Sequence, residues 1–353
     1  MTSVSIVNVT SYTGLELLRL LSQHPQFEVS SVTARSAVGK RLFEVFPLLV
    51  AMKHTNIDPH LIITEEPEQS ELAFVCLPHA AAAESVLSLL ERSTKVVDLS
   101  ADFRLRDAAV YEEWYKHVHP SPSLLETAVY GLCERYRSDI EAASLVANPG
   151  CYATAAILGL LPALVTGSIQ PDIIIDAKSG SSGAGRSLSL STHHAELNED
   201  TSAYSLAGHR HLPEITQELE KAAQIGEHPA RSLRITFIPH LVPMTRGILA
   251  TCYANLDEER RIPATQEIRS LYDQYYANEP FVHLVDQPPH TKWTLGSNQC
   301  LIYPMVDTRT RRFIVISCLD NLVKGAAGQA IQNANRLFGI PETTGLLVPP
   351  LYP

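Results

Sequence analysis

The chain has 353 residues, 45% apolar and 19% charged, with a formal net charge of -10. That length suits about two ordinary domains and a sizeable core, which excludes a disordered tail protein, a collagen or a disulfide mini-scaffold. The acidic balance argues against a nucleic-acid or anionic-membrane surface, while a small anionic ligand in a local basic pocket stays compatible with it.

Taken in chain order, residues 4–9 read as a short apolar strand of the kind buried on both faces of a parallel sheet. A helix follows, with Leu15, Leu17, Leu18, Leu20 and Leu21 at helical spacing, Thr13 as its expected cap and Pro25 as its stop. A strand at residues 28–33 completes a β-α-β unit, and further apolar strands are expected at 72–77, 95–99 and 145–147. Strands alternating with helices predict a doubly wound α/β sheet. A helix at 153–164 is then followed by longer, two-sided strands at 173–177, 234–239, 248–256, 299–306 and 312–319, interrupted by helices at 213–223 and 264–276. That pattern predicts an α+β domain on a mostly antiparallel sheet. The expected division is residues 1–150, rejoined by a C-terminal helix within 320–353, and residues 151–319.

The six cysteines, Cys76, Cys133, Cys151, Cys252, Cys300 and Cys318, form no C-x-x-C pair, so neither a zinc site nor a disulfide framework is expected. A reduced cytosol fits them. No charged-then-apolar leader opens the sequence and no run reaches ~18 apolar residues. The expectation is a soluble cytoplasmic protein without a metal.

The turn after the first strand reads Asn8-Val9-Thr10-Ser11-Tyr12-Thr13-Gly14. A dinucleotide turn needs small residues because its backbone approaches a pyrophosphate at the helix N-terminus. Only one of three expected glycines, Gly14, is present; Asn8 tolerates positive φ, Ser11 is small, and the Thr10, Ser11 and Thr13 hydroxyls can add donors. A plain β-α-β turn is the competing reading. Where an NAD site would place an acid, the chain has Thr33-Ala34-Arg35-Ser36, which favours the 2′-phosphate of NADP unless Arg35 is a solvated loop cation.

Cys151 stands out among the thiols. In A-N-P-G-C-Y-A-T (147–154) a strand ends, Pro and Gly turn the chain, and a helix begins. Helix N-terminal N–H groups and the positive end of the dipole favour a thiolate there, and so a nucleophile. Its proton partner is expected in G-H-R-H-L-P-E-I (208–215), from His209 or His211, with Pro213 suited to a helix start and Glu214 placed to lean on that helix or orient an imidazole. No further ligand spacing supports a metal at the histidine pair, and His193-His194 reads as a polar loop. The loop S-G-S-S-G-A-G-R (179–186) combines backbone donors, hydroxyls and Arg186 in an anion cradle or a flexible connector. S-A-D-F-R (100–104) follows an apolar strand, and Arg104 could either face a ligand or pair with Asp102.

These runs, together with V-D-L-S-A-D-F-R-L, I-P-H-L-V-P-M-T-R-G-I-L, G-S-N-Q-C and D-N-L-V-K-G-A-A-G-Q-A-I-Q-N, resemble the N-acetyl-γ-glutamyl-phosphate reductase family of arginine biosynthesis, across nearly the whole chain. The resemblance implies a Rossmann-type NADP domain and a catalytic and dimerisation domain like that of aspartate-semialdehyde dehydrogenase. It also implies a homodimer or homotetramer, and Cys151 as the nucleophile that turns an acyl phosphate into a thioester for reduction by NADPH to N-acetylglutamate 5-semialdehyde. By the same resemblance a histidine of the H-R-H segment is the acid/base, with His209 preferred. Cofactor contacts are implied for Thr10, Ser11, Tyr12, Thr13, Gly14, Arg35, Ser36, Pro78, Ser182, Gly183 and Asn321. Substrate contacts are implied for Asn148, Ser179, Arg104, Arg186 and Arg246, with Lys292 as a further candidate. The turn departs from the family's G-A-S-G-Y-T-G by carrying Asn8 and Ser11, and a loss of ~1.4 kcal/mol there would weaken NADPH tenfold. Two alternatives remain open: a reductase of an aminoadipyl or aspartyl phosphate, and a catalytically silent paralogue.

Overall fold

The structure, a computed structural model, describes residues 1–51, 55–225, 233–256 and 261–352. It divides into two compact units, Met1–Pro149 with Ala326–Val348, and Gly150–Gly325 with Pro349–Pro353.

The first unit holds strands β1 (Thr2–Val7), β2 (Phe27–Val32), β3 (Leu72–Val75), β4 (Lys95–Asp98), β5 (Val129–Tyr130) and β6 (Leu145–Ala147). They form a wholly parallel sheet in the order β2-β1-β3-β4-β6-β5, with Val4 opposite both Val29 and Leu72. Apolar runs such as Leu72–Val75, buried at all four residues, are what a sheet covered on both faces demands. The strand order reverses beside β1, which puts a topological switch point at the carboxyl ends of β1 and β3.

β1 ends two residues earlier than the hydrophobic run, because Asn8 takes a left-handed φ of 64°. The helix Tyr12–Leu21 is capped by Ser11 and not by Thr13, since the Ser11 Oγ accepts the Gly14 N–H at 3.0 Å. It also stops ahead of Pro25, at a Ser22 cap whose N–H reaches the Leu18 carbonyl.

The second unit is a seven-stranded mixed sheet. Its strands are β7 (Ile169–Ser179), β8 (Ser202–Ala203), β9 (Arg234–Leu241), β10 (Ile248–Leu256), β11 (Val282–Leu284), β12 (Cys300–Asp307) and β13 (Arg312–Leu319), in the order β11-β12-β13-β10-β7-β9-β8. The β7–β9 and β11–β12 pairings are parallel and the remaining pairings antiparallel. Alternation along β10 buries Ile248, Ala250, Cys252, Ala254 and Leu256 on one face, against the helix Cys151–Val165.

That helix is apolar on every side and buried from Tyr152 to Leu164. Pro162 deprives the Leu158 carbonyl of its usual donor, and the Tyr276 hydroxyl fills the gap at 2.5 Å. Tyr272 donates to the neighbouring Gly159 carbonyl at 2.6 Å. The helix carrying the thiol is therefore anchored to the helix Thr265–Tyr275 by two phenols.

The C-terminal helix expected within 320–353 is not regular from its start. Val323–Ala327 forms a wider π-type turn, and the regular helix runs Gly328–Leu337. The turn brings Gly325 against Cys151, where a β-carbon on residue 325 would lie 2.8 Å from the Cys151 Cβ.

Candidate active site

In the second unit, Cys151 is the first residue of its helix, and the preceding Gly150 has no local side-chain cap. The acceptor comes from elsewhere: Glu214, 1% exposed, takes the Gly150 N–H on its Oε1 at 2.7 Å. Glu214 thus holds the turn into the thiol helix. Cys151 is partly exposed, whereas the other five cysteines are buried. Burial pushes the Cys76, Cys252 and Cys318 thiols up to about 12, so they stay protonated and inert.

Beside the thiol helix lies an aromatic nest. His209 meets Tyr152, Tyr204, His211 and Phe237 edge-on, with ring centroids 4.8 to 5.7 Å apart. Burial, reinforced by the charge of Arg210, pushes His209 down to about 4. Its Nδ1 accepts the His211 backbone N–H at 3.0 Å, so the neutral ring carries its proton on Nε2. The Tyr204 hydroxyl donates to the Tyr152 hydroxyl at 3.2 Å, and Tyr152 donates to the His240 carbonyl at 3.2 Å. Burial raises Tyr204 to about 12, and the charge of Cys151 adds to that rise, which ties the nest electrostatically to the thiol. Both tyrosines were missed in the sequence, although Tyr152 adjoins the nucleophile.

The Gly/Ser loop is a compact turn and not a slack connector. Asn321 accepts the Gly247 N–H at 2.7 Å and donates to the Ser182 Oγ at 2.9 Å, while the Ser179 hydroxyl donates to the Gly180 carbonyl. A β-carbon at Gly180 would lie 2.6 Å from the Thr245 carbonyl oxygen, so only glycine fits there. Arg246 approaches the fully buried Asp320 at 3.5 Å, and Asp320 also accepts the Gly296 and Leu322 N–H groups. Arg186 is exposed past Gly183 and Gly185, and Lys292 is exposed on the short turn Thr291–Trp293. His193 and His194 are exposed, but they cap and open the short helix His194–Leu197 and do not lie in a loop.

In the first unit, the β1 turn is held by side chains. Asn8 donates its amide to the Cys76 carbonyl at 2.8 Å and accepts the Thr10 hydroxyl at 3.2 Å; Ser11 and Thr13 hydroxyls bond at 3.0 Å. Gly14 packs so closely that a β-carbon would sit 2.7 Å from the Val9 carbonyl oxygen. The Tyr12 and Thr13 N–H groups have no acceptor among the described residues, and they stand at the positive end of the helix. Arg35 and Ser36 are exposed just beyond β2 and Pro78 just beyond β3. Free donors at the helix start, a close-packed Gly14 and a cation where an acid would select NAD together fit a dinucleotide bearing a 2′-phosphate.

The two substrate candidates of this unit are engaged within it. Arg104 donates to the Asn148 carbonyl at 2.8 Å and the Leu99 carbonyl at 3.0 Å. The Asn148 amide donates to the Ala326 carbonyl at 3.1 Å and its oxygen accepts from Asn333 at 3.0 Å. Both residues brace the strand ends. Asp98 and Asp102 are fully buried nearby, and burial pushes Asp98 up to about 7. Among the described residues no cluster of side chains suits a metal ion, and no helix is long and apolar enough to cross a membrane.

A parallel dinucleotide-type sheet, coupled in sequence to a mixed sheet whose buried entrance helix begins at a thiol, defines the semialdehyde-dehydrogenase class. Residues 3–143 match the family described as semialdehyde dehydrogenase, NAD binding domain, and residues 151–321 the semialdehyde dehydrogenase, dimerisation domain. The fold is similar to aspartate semialdehyde dehydrogenase II from Vibrio cholerae, with a TM-score of 0.69 at 16% identity, covering 96% of this chain and 98% of that one. It is equally similar to aspartate semialdehyde dehydrogenase with NADP from Candida albicans, at a TM-score of 0.69, 16% identity and the same coverage. The N-acetyl-gamma-glutamyl-phosphate reductase of Dehalococcoides mccartyi is 53% identical over 343 residues, 97% of this chain and 96% of that protein. That of Moorella thermoacetica is 48% identical over the full length of both. The chain belongs to the N-acetyl-γ-glutamyl-phosphate reductase family.

Proposed function

We propose that this chain reduces N-acetyl-γ-glutamyl phosphate to N-acetylglutamate 5-semialdehyde, with release of phosphate and with NADPH as reductant. The observation that carries the reading is a single partly exposed thiol at the start of a buried helix, fixed by a remote carboxylate on the preceding amide. The Cys151 thiolate, favoured by the helix dipole, attacks the acyl carbon; the carbon–oxygen bond to phosphate breaks and a thioester forms. NADPH, when bound, supplies the hydride that reduces the acyl group. Backbone N–H groups of the helix start face the oxygen on which charge develops. When the carbon–sulfur bond breaks, the aldehyde leaves and the thiolate is restored.

Of the two histidines, His209 is the preferred proton-handling residue, and its neutral ring offers an Nε2–H donor to the acyl or phosphate oxygen. Arg186 is the first choice to hold the substrate's anionic end, with Arg246 and Lys292 as weaker candidates and Ser179, Asn148 and Arg104 as the remaining proposed substrate residues. Thr10, Ser11, Tyr12, Thr13, Gly14, Arg35, Ser36 and Pro78 are the proposed cofactor residues, as are Ser182 and Gly183 of the Gly/Ser loop and Asn321, which bonds Ser182. The chain is proposed to pair with a second copy through the open face of its mixed sheet, where Ile174 is 41% exposed and Tyr253, Tyr303 and Met305 are half-buried. Locating it in the cytoplasm fits six cysteines that form no disulfide.

The deciding experiment is the reverse reaction, run with phosphate, NADP or NAD, and each of three semialdehydes: N-acetylglutamyl, aminoadipyl and aspartyl. The reading expects fastest turnover with N-acetylglutamate 5-semialdehyde and NADP, and none in Cys151→Ala, which still binds NADPH. Turnover in Cys151→Ala, or preference for another semialdehyde, would overturn it.

A further inference from the structure

The loop that follows β3, residues 76–82, stands at the switch point beside the β1 turn, and the Asn8 amide bonds its Cys76 carbonyl. Two features show that this loop does not hold itself. Ala80 has a φ of 60°, a left-handed conformation that a residue with a β-carbon adopts only when its surroundings impose it. The helix Ala83–Glu91 that follows has Ala82 at its cap position and no side-chain cap of its own.

One carboxylate answers both needs. Asp102, fully buried, accepts the Ala80 N–H on Oδ1 at 2.7 Å and the Ala82 and Ala83 N–H groups on Oδ2 at 3.0 and 3.2 Å. The Tyr111 hydroxyl donates to Oδ1 at 3.0 Å, and the Ser100 hydroxyl accepts the Asp102 N–H at 3.1 Å, so the carboxylate is itself held in place. The neighbouring His79 ring accepts the Ala101 N–H at 3.1 Å, a second link between the two loops. A carboxylate that satisfies three backbone donors is a cap supplied from the next strand's loop.

We propose that Asp102 is a positioning residue for the cofactor: it fixes the β3 loop, with Ala80 in its left-handed conformation, as one wall of the dinucleotide site. The inference rests on the NADPH reading above. Pro78 and His79 lie on the segment so fixed, and Asp102 itself acts through them without touching the ligand.

The test is direct titration of the full chain with NADPH, followed by nucleotide fluorescence, alongside thermal melts and the KM for each substrate. Asp102→Ala is expected to raise the NADPH Kd and KM about tenfold or more while the KM for phosphate stays unchanged. Asp102→Asn, which keeps one carbonyl acceptor, should fall between. Ala80→Gly in the Asp102→Ala background should recover part of the loss, since glycine adopts positive φ unaided. Ala80 is exposed, so Ala80→Val leaves the core untouched and should weaken NADPH to a similar degree even if Asp102→Ala fails to fold. Unchanged NADPH binding in Ala80→Val, or in an Asp102→Ala variant that only melts earlier, overturns the proposal alone. A wild-type chain that binds no NADPH at millimolar concentration overturns both it and the reading on which it rests.

Discussion

The turn at residues 8–11 and the turn at residues 148–150 both deliver a parallel strand into a helix, but they are held by different means. The first is closed by its own residues, with Asn8 in the left-handed conformation, Ser11 capping the helix and Gly14, three residues on, letting the helix close on Val9, while the Asn8 amide ties it outward to the Cys76 carbonyl. The second has no local cap. Its Gly150 N–H is taken by Glu214, 64 residues along the chain, and its Cys151 Cβ rests against Gly325. A turn that only presents backbone donors can be specified by its own sequence. A turn that must aim one thiol has its position imposed by tertiary contacts, and those contacts should be the sensitive ones.

The largest expected effect follows from Gly325. A β-carbon there would fall 2.8 Å from the Cys151 Cβ and 3.2 Å from its Cα, too close for either to remain in place. Gly325→Ala should lower kcat by about 100-fold or more, because a shift of order 1 Å in a reacting group costs that much. NADPH titration should be unaffected. A variant with wild-type kcat would show that the thiol tolerates displacement.

Glu214 comes next. In Glu214→Ala the Gly150 N–H loses its acceptor, a loss of about 1–3 kcal/mol or roughly 5- to 150-fold in rate if it falls on the transition state. Glu214→Gln keeps an acceptor oxygen and should retain most activity. It also removes a negative charge near the thiol, so the pH at which iodoacetamide half-alkylates Cys151 should move down. Equal loss in both variants would mean that the charge matters and the amide contact does not.

His209 gives a smaller and more diagnostic effect. Its value of about 4 lies below the ordinary 6.5, so the native ring stays neutral across the physiological range. Between pH 6.5 and 4 the unfolded chain binds a proton that the folded ring refuses, so this residue's contribution makes stability fall as pH drops through that window. The kcat/KM profile should accordingly show no acid limb from His209 until near pH 4. His209→Gln, which can place an N–H near Nε2, should exceed His209→Ala several-fold in rate. If the two are equally impaired and a limb appears near pH 6.5, the ring works as a titrating base.

The same contrast explains what the sequence disclosed. The parallel and mixed sheets follow from periodicity, because burial on one face or two writes itself into residue alternation. Cys151 was legible because Pro149, Gly150 and the small residues after it mark a turn into a helix. Glu214 was visible only as an acid placed to lean on its own helix or orient an imidazole, since its bond to the Gly150 N–H is long-range. Gly325 lay in a recognisable run, K-G-A-A-G, but nothing local says which neighbour a missing side chain accommodates. Asp102 read as a partner for Arg104, whereas its strongest contacts are backbone N–H groups, which carry no side-chain signature. Thr13 looked like the cap because it precedes the leucine run; Ser11 takes that place because the first helical turn begins at Tyr12.

The smallest expected effect is at Ser11, and it tests whether the first turn depends on its side chains at all. Ser11→Ala removes the hydroxyl that accepts the Gly14 N–H, a cap loss of about 1 kcal/mol, whereas Ser11→Gly should cost only a few tenths. The melting temperature should therefore fall in the order wild type, glycine, alanine, by a few degrees in all. NADPH affinity should behave differently. Glycine restores the family's small residue and opens room for the backbone to approach a pyrophosphate, so Ser11→Gly should bind NADPH at least as tightly as the wild type while being slightly less stable. If the serine hydroxyl is itself a phosphate donor, both variants lose affinity together, by about tenfold or more for a charge-assisted hydrogen bond. That outcome would place the two turns on an equal footing, each relying on a side chain to do what its backbone alone does not.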